Sequence, residues 1–291
     1  MSYCIFNING GIGKTIAATA VCEGIKREHP ERKLIVVSGY PDVFVNNPHV
    51  YRSLGFGQTQ YFYEEFIEGK DVKIFAHDPY LDNSFLHGKS LIESWFKMFG
   101  VEYKGEKPKL YLTEREVNFH KQKFASDKPI FLMQTNGGAE NQPLKYSWAR
   151  DIPSNVVLKV IEKFRDKYNI VHIRRQDQIG YPDVATVTDD FRSIVTLISL
   201  SEKRLFMDSF AQHTAAALNK PSTVLWIANK PEQFGYAMHK NIVCNEFTCK
   251  PELKGSYFEK FNIQGDPLQF PFNSEDEIFD VDKILQSLKE V

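Results

Sequence analysis

The chain has no apolar run near the roughly 20 residues that span a bilayer, no internal repeat and no low-complexity tract. It also lacks a charge excess: 36 Lys and Arg against 37 Asp and Glu leave a formal net charge of −1. That balance removes a strong, whole-surface polyanion binder, although a local basic face is compatible with it. No signal peptide opens the sequence, since Met1-Ser-Tyr-Cys-Ile-Phe-Asn reads as the start of a strand. A cytoplasmic protein without stable membrane insertion is expected. Cysteine is scarce. Cys4, Cys22, Cys244 and Cys249 sit in or beside apolar segments without paired metal spacing, which points to reduced thiols. A Cys244–Cys249 pair or a metal held by the two is the competing reading; against it, no histidine or second cysteine pair stands near them in sequence.

What is present is alternation. Short apolar runs at 4–8, 33–38, 72–76, 130–134, 170–173, 204–207, 222–227 and 241–243 read as strands. Between them, 15–28, 90–99, 113–124, 154–168 and 191–199 carry helical spacing. Strands alternating with helices predict an α/β fold with parallel sheets. The polar segment Ala125-Ser-Asp-Lys-Pro129 separates two such series, which sets two Rossmann-like domains, 1–125 and 126–291. Val281, Ile284, Leu285 and Leu288 recur at helical spacing near the end of the chain. The stretch 247–272 is rich in aromatics and proline without periodicity and yields no expectation.

The most informative segment is Phe206-Met-Asp208-Ser209-Phe210-Ala-Gln212-His213-Thr-Ala-Ala-Ala-Leu-Asn-Lys-Pro221, followed by an apolar run to Ile227. It reads as strand, polar turn, short helix and second strand. Asp208 and Ser209 are good N-cap residues, and the free N–H groups of the helix they open would favour an anion. His213 lies about one turn into that helix. An ordinary capped helix in an α/β core has the same local pattern.

This segment resembles the nucleotide-sugar-binding motif of the heptosyltransferase-like GT-B glycosyltransferases (glycosyltransferase family 9-like), roughly Asp-Ser/Thr-Gly-x-x-His-x-Ala-Ala-x-x-x-x-Pro. Asp208, Ser209, His213, Ala215, Ala216 and Pro221 fit, whereas Phe210 stands where the family has Gly. The resemblance implies two facing Rossmann-like domains and a terminal helix that returns to the first. It places the donor diphosphate against Asp208, Ser209, Phe210, Gln212 and His213.

The opening of the chain carries a competing signal. Asn9-Gly10-Gly11-Ile12-Gly13-Lys14-Thr15 follows a strand and ends like a P-loop. The full pattern needs Gly where Ile8 stands, and the deviant partition-ATPase form needs Lys where Asn9 stands. The segment is more similar to the family's opening, a strand followed by Gly-Gly-Ile-Gly-Asp. There the glycine-rich turn, here Gly11 and Gly13, brings backbone close to the substrates. The family's Asp, a candidate general base, is Lys14 in this chain. A protonated amine is unsuited to deprotonation unless strongly desolvated, and suits a phosphate better. Base candidates then come from loops that follow other first-domain strands: Asp78 and His77, ahead of Asp42. A turn-forming aspartate or a solvated histidine is the competing description of each.

The second series opens with Gln134-Thr135-Asn136-Gly137-Gly138 and continues to Lys145-Tyr-Ser-Trp148. It resembles the family segment that meets the donor phosphates from the side opposite the Asp208 helix. Thr135, Asn136 and Lys145 are assigned there, Lys145 offsetting the charge that grows on the leaving diphosphate, so that no metal or other cofactor is expected. Arg174 and Arg175, at the end of a strand, are in position to reach the nucleotide, without a matching motif.

The resemblance therefore implies a metal-independent, inverting glycosyltransferase. It would move a sugar from a nucleotide-diphosphate donor to an acceptor hydroxyl on a glycan or a hydroxymethylated nucleobase. Two other readings stay open: a P-loop partition-type ATPase using Gly10 to Thr15, and a nucleotide-sugar-binding protein without catalysis. The sequence leaves donor sugar and oligomeric state undetermined.

Overall fold

The computed structural model describes residues 1–137, 148–245, 270 and 272–291. The chain divides into two compact units. One comprises Met1–Thr113 with Ala216–Leu218, the other Glu114–Ala215 with Asn219–Val291.

The first unit opens with β1 (Ser2–Ile8) and α1 (Ile12–Glu28), then β2 (Lys33–Ser38), β3 (Arg52–Gly55), α2 (Phe62–Phe66), β4 (Asp71–Phe75), α3 (Asn83–Leu86) and α4 (Leu91–Phe99). Its four strands are parallel and ordered β3-β2-β1-β4. α1 buries Ile16, Ala17, Ala18, Ala20, Val21 and Ile25, small or branched side chains that let it lie close on the sheet. Gly24 lies on the same face as Ala17, Ala20 and Val21, and a Cβ there would stand 2.3 Å from Phe96 Cε1. That close approach seats α4, whose Trp95 and Phe99 meet Phe6 of β1 edge-on, with centroids 5.8 and 5.4 Å apart.

The second unit runs α5 (Glu114–Lys123), β5 (Ile130–Gln134), α6 (Ser154–Phe164), β6 (Asn169–Ile173), β7 (Ala185–Val187), α7 (Phe191–Leu200), β8 (Lys203–Met207), α8 (Phe210–Ala217), β9 (Thr223–Trp226), α9 (Pro231–Phe234) and β10 (Lys240–Val243). A terminal helix spans Val281–Glu290. Its six strands are parallel, in the order β10-β9-β8-β5-β6-β7. α5 groups with this unit, upstream of the expected boundary at 125/126. It is tied to α7 by Arg192–Glu116 at 2.6 Å and by His120 Nε2 against Ser193 Oγ at 3.0 Å.

The terminal helix, expected to return to the first domain, belongs to the second unit. Ile284 and Leu288 enter the core formed by Phe131, Val157, Leu205, Met207 and Leu225. Ser287 Oγ lies 2.8 Å from Thr223 Oγ1. The physical reason is length and pattern: a ten-residue amphipathic helix buries its one apolar face against its own sheet.

β3 and β7, absent from the sequence reading, are both edge strands. No helix of the described residues is long and apolar enough to cross a membrane. Cys4, Cys22 and Cys244 are buried, and burial pushes the Cys4 thiol up to about 11. Cys249 lies outside the described residues.

Candidate functional site

In the first unit, the chain leaves β1 for β2 on one side and later returns to β4 on the other, so the carboxyl ends of β1 and β4 flank the switch in strand order. Ligands of open α/β sheets bind at such a point. Lys14 and Asp78 stand there. Gly10, at φ 110°, makes the turn out of β1, and Gly11 is the N-cap of α1 without a side-chain cap bond. A Cβ on Gly10 would lie 3.0 Å from Lys14 Cδ, so glycine both permits the turn and leaves room for the lysine stem.

The Lys14 side chain is 3% exposed and places Nζ 2.7 Å from Asp78 Oδ1. The amine also lies 4.1 Å from the centroid of the Tyr80 ring and 5.6 Å from that of Trp95. Burial lowers the Lys14 pKa below its ordinary value, and the Asp78 carboxylate partly opposes that shift. Asp78 is itself placed by a turn: its Oδ1 accepts from Tyr80 N at 3.0 Å and caps the short 3-10 helix Pro79–Leu81. His77 and Asp42 are exposed. Their side chains make no hydrogen bond among the described residues.

In the second unit, β5 and β8 are neighbours, and their carboxyl ends carry Thr135-Asn136-Gly137 and Asp208-Ser209. Thr135 Oγ1 donates to Asn136 Oδ1 at 2.8 Å and lies 2.9 Å from His172 Nε2. A hydroxyl has one proton, so His172 donates to it through Nε2. Burial holds the His172 pKa at about 4, keeping the ring neutral. Asn136 Nδ2 donates to Asp151 Oδ2 at 3.1 Å, and Gly137 N to Asp151 Oδ1 at 2.9 Å. Thr135 and Asn136 therefore build the loop through buried bonds. Asp151, which sequence reasoning did not single out, anchors it.

Around the next loop, Arg174 turns its guanidinium onto the carbonyls of Arg175, Gln176 and Gln178, at 3.0, 3.2 and 2.8 Å. It organises the 174–178 segment. Arg175 pairs with Asp177 at 3.0 Å.

Asp208 is buried, accepts from Asn229 Nδ2, and lies 3.8 Å from an Arg150 guanidinium nitrogen. Arg150 was missed because it sits on no strand end. A Cβ added to Gly137 would approach its Cδ at 3.2 Å and Met207 Cε at 3.0 Å, which locates the arginine across the ends of β5 and β8. Its side chain is 40% exposed, so the cation faces outward. Ser209 and Phe210 are half-buried where α8 begins.

His213 Nδ1 lies 2.8 Å from the Tyr236 hydroxyl. Burial first, with Arg150 and His239 adding to it against Asp208, holds the His213 pKa at about 4. The ring is neutral near pH 7 and offers one N–H donor. Gln212, by contrast, is fully buried and donates to Phe234 O at 3.0 Å, while its own carbonyl meets His239 Nε2 at 3.1 Å. It fixes the segment that carries Tyr236.

Lys145 and Gly138 lie outside the described residues. Among the described residues, no group of three or more His, Cys, Asp or Glu side chains is placed to hold a metal ion. The one Asp-x-Asp of the chain, Asp280-Val281-Asp282, opens the terminal helix, where Asp280 caps Asp282 N and Lys283 N.

No protein-family model matches the chain, and no curated protein does. Solved structures match it over nearly its whole length. The ADP-heptose LPS heptosyltransferase II of E. coli is 14% identical with a TM-score of 0.68, covering 99% of this chain and 98% of that one. A family 9 glycosyl transferase from Veillonella parvula DSM 2008 is 13% identical with a TM-score of 0.70, covering 99% and 96%. The dodecameric iron-containing heptosyltransferase TibC of enterotoxigenic E. coli, solved with ADP-D-beta-D-heptose, is 12% identical with a TM-score of 0.68, covering 99% and 77%. The fold of this chain is the heptosyltransferase-like GT-B fold.

Proposed function

We infer that this protein is a glycosyltransferase that moves a sugar from a nucleotide-diphosphate donor to an acceptor hydroxyl, with inversion and without a metal. The observation that carries the reading is the cluster at the carboxyl end of β8. A GT-B fold there joins the start of α8, a neutral His213 held by Tyr236, and an outward-facing Arg150 held by Asp208. Helix N–H groups, an imidazole N–H and a guanidinium form a donor set for a diphosphate, and they strengthen as charge grows on the leaving group.

Lys145 is the further cation assigned to that diphosphate. Thr135, Asn136 and Arg174 act in this reading as scaffolding of the two loops beside it. The general base for the acceptor hydroxyl is one of Asp78, His77 and Asp42. The acceptor stays a hydroxyl on a glycan or on a modified nucleobase.

The P-loop reading is the less favoured, since the Lys14 amine is buried and committed to Asp78 instead of being free for a phosphate. A calorimetric and thermal-shift screen against ADP-, GDP-, UDP- and CDP-sugars, with ATP and Mg as the competing arm, decides between them. Stabilisation by one sugar nucleotide, unchanged by EDTA, is expected. His213→Ala should weaken that donor about tenfold, the worth of one hydrogen bond to a charged group. Stabilisation by ATP with Mg alone would refute the transfer reading.

A further inference from the structure

Three features of the first unit, taken with the glycosyl-transfer reading on which this inference rests, single out one carboxylate. The first is the cation Lys14 at the end of the glycine-rich turn. The second is where its charge goes. A cation in the first turn of a helix opposes the helix dipole, and one that is 3% exposed also loses its hydration. Asp78, sixty-four positions along the chain, answers both costs at 2.7 Å. The third is the way in which Asp78 is held. Both of its hydrogen bonds, from Lys14 Nζ and from Tyr80 N, fall on Oδ1. Oδ2 receives none among the described residues, and the side chain is 33% exposed.

One oxygen is thus fixed by a buried cation and a backbone amide, while the other keeps its lone pairs on a side chain that water reaches. His77 and Asp42, the other candidates, have exposed side chains with nothing to orient them.

We propose that Asp78 Oδ2 is the general base for the acceptor hydroxyl, and that Lys14 is its positioning residue, so that the glycine-rich turn supplies the cation and the β4 loop the carboxylate. In the step, the acceptor O–H proton passes to Asp78 Oδ2 as the acceptor oxygen bonds to the anomeric carbon. The bond from that carbon to the diphosphate oxygen breaks, and its electron pair leaves with the nucleoside diphosphate.

Beside Lys14, the elements that pack on the 3-10 helix carry Asp82, Glu93 and Lys97, with Asp82 and Lys97 4.0 Å apart. His77 is its neighbour in the chain, and Tyr80 covers the amine.

The test measures nucleoside-diphosphate release from the sugar nucleotide identified by the screen, with water as acceptor, across pH 5 to 9. Asp78→Asn should cut release at least a hundredfold, the lower end of what a general base contributes, with donor affinity within twofold. Because that variant leaves a buried amine alone, the double variant Lys14→Met/Asp78→Asn is measured beside it and should show the same loss. Lys14→Met should keep donor affinity and lower kcat about tenfold, and Lys14→Arg, which returns a cation to the carboxylate, should recover part of it.

Release within threefold of wild type in the double variant overturns the assignment of the base. An unchanged kcat in Lys14→Met overturns the role of the lysine. Wild-type protein that binds no sugar nucleotide fails the transfer reading itself, whereas a donor bound and turned over by Asp78→Asn fails only this one.

Discussion

Burying an amine beneath a helix N-terminus is tolerable only while its counter-ion stays, so the two ends of the Lys14–Asp78 pair are unequal. Losing the carboxylate strands a charge. Losing the amine leaves a carboxylate that water can reach, and Met fills the space of the lysine stem. Asp78→Ala is therefore expected to cost about 2 kcal/mol, below the usual range for a fully buried pair because Asp78 is partly exposed. Lys14→Met should cost less than about 1 kcal/mol. Urea midpoints of the two variants check the order. Its place after a strand made Asp78 a candidate only as one of several loop residues, because a sequence does not reveal which carboxylate a buried amine holds. Arg150 was illegible for a related reason: its place is set by the absence of a Cβ on Gly137, in a different segment. Thr135 and Asn136 were found by position, while their inward bonding to His172 and Asp151 depends on pairings across 37 and 15 positions.

At the scale of the element, legibility followed apolar content, since the edge strands β4, with Val72, Ile74 and Phe75, and β10, with Ile242 and Val243, were legible too. Strands flanked by neighbours on both sides, such as β1, β5 and β8, are continuous apolar runs and stand out. β3, Arg-Ser-Leu-Gly, and β7, Ala-Thr-Val, lie at sheet edges, are short, and carry too little apolar surface to signal a strand. α1 shows how packing overrides propensity. Gly24 in mid-helix gives up about 1 kcal/mol relative to alanine, yet Phe96 occupies the space that a Cβ would need. Gly24→Ala should force that ring to move, at about 1–3 kcal/mol of overpacking, for a net loss of about 1 kcal/mol by chemical denaturation. An increase in stability would show that α4 yields easily.

Across the molecule, His172, His213 and His239 share one property: burial lowers each to about 4, and all three lie in the second unit. Between an ordinary histidine value near 6.5 and about 4, the unfolded chain takes up protons that the native state refuses. Stability is therefore present above that window and is lost as pH falls through it, at up to about 1.4 kcal/mol per pH unit for each ring. Urea midpoints at pH 7, 6 and 5 should fall in turn. His239→Gln, which can still donate to the Gln212 carbonyl, should flatten the slope. The wound order of the first sheet has a historical consequence as well. It brings residues 14 and 78 together from separate loops, so the pair cannot have arisen in a single mutational event. Of the two stepwise routes, the one in which the carboxylate arrives first costs less stability, under about 1 kcal/mol against about 2 kcal/mol. A lysine at position 14 is therefore cheaper to acquire in a chain whose β4 loop already carries an acid.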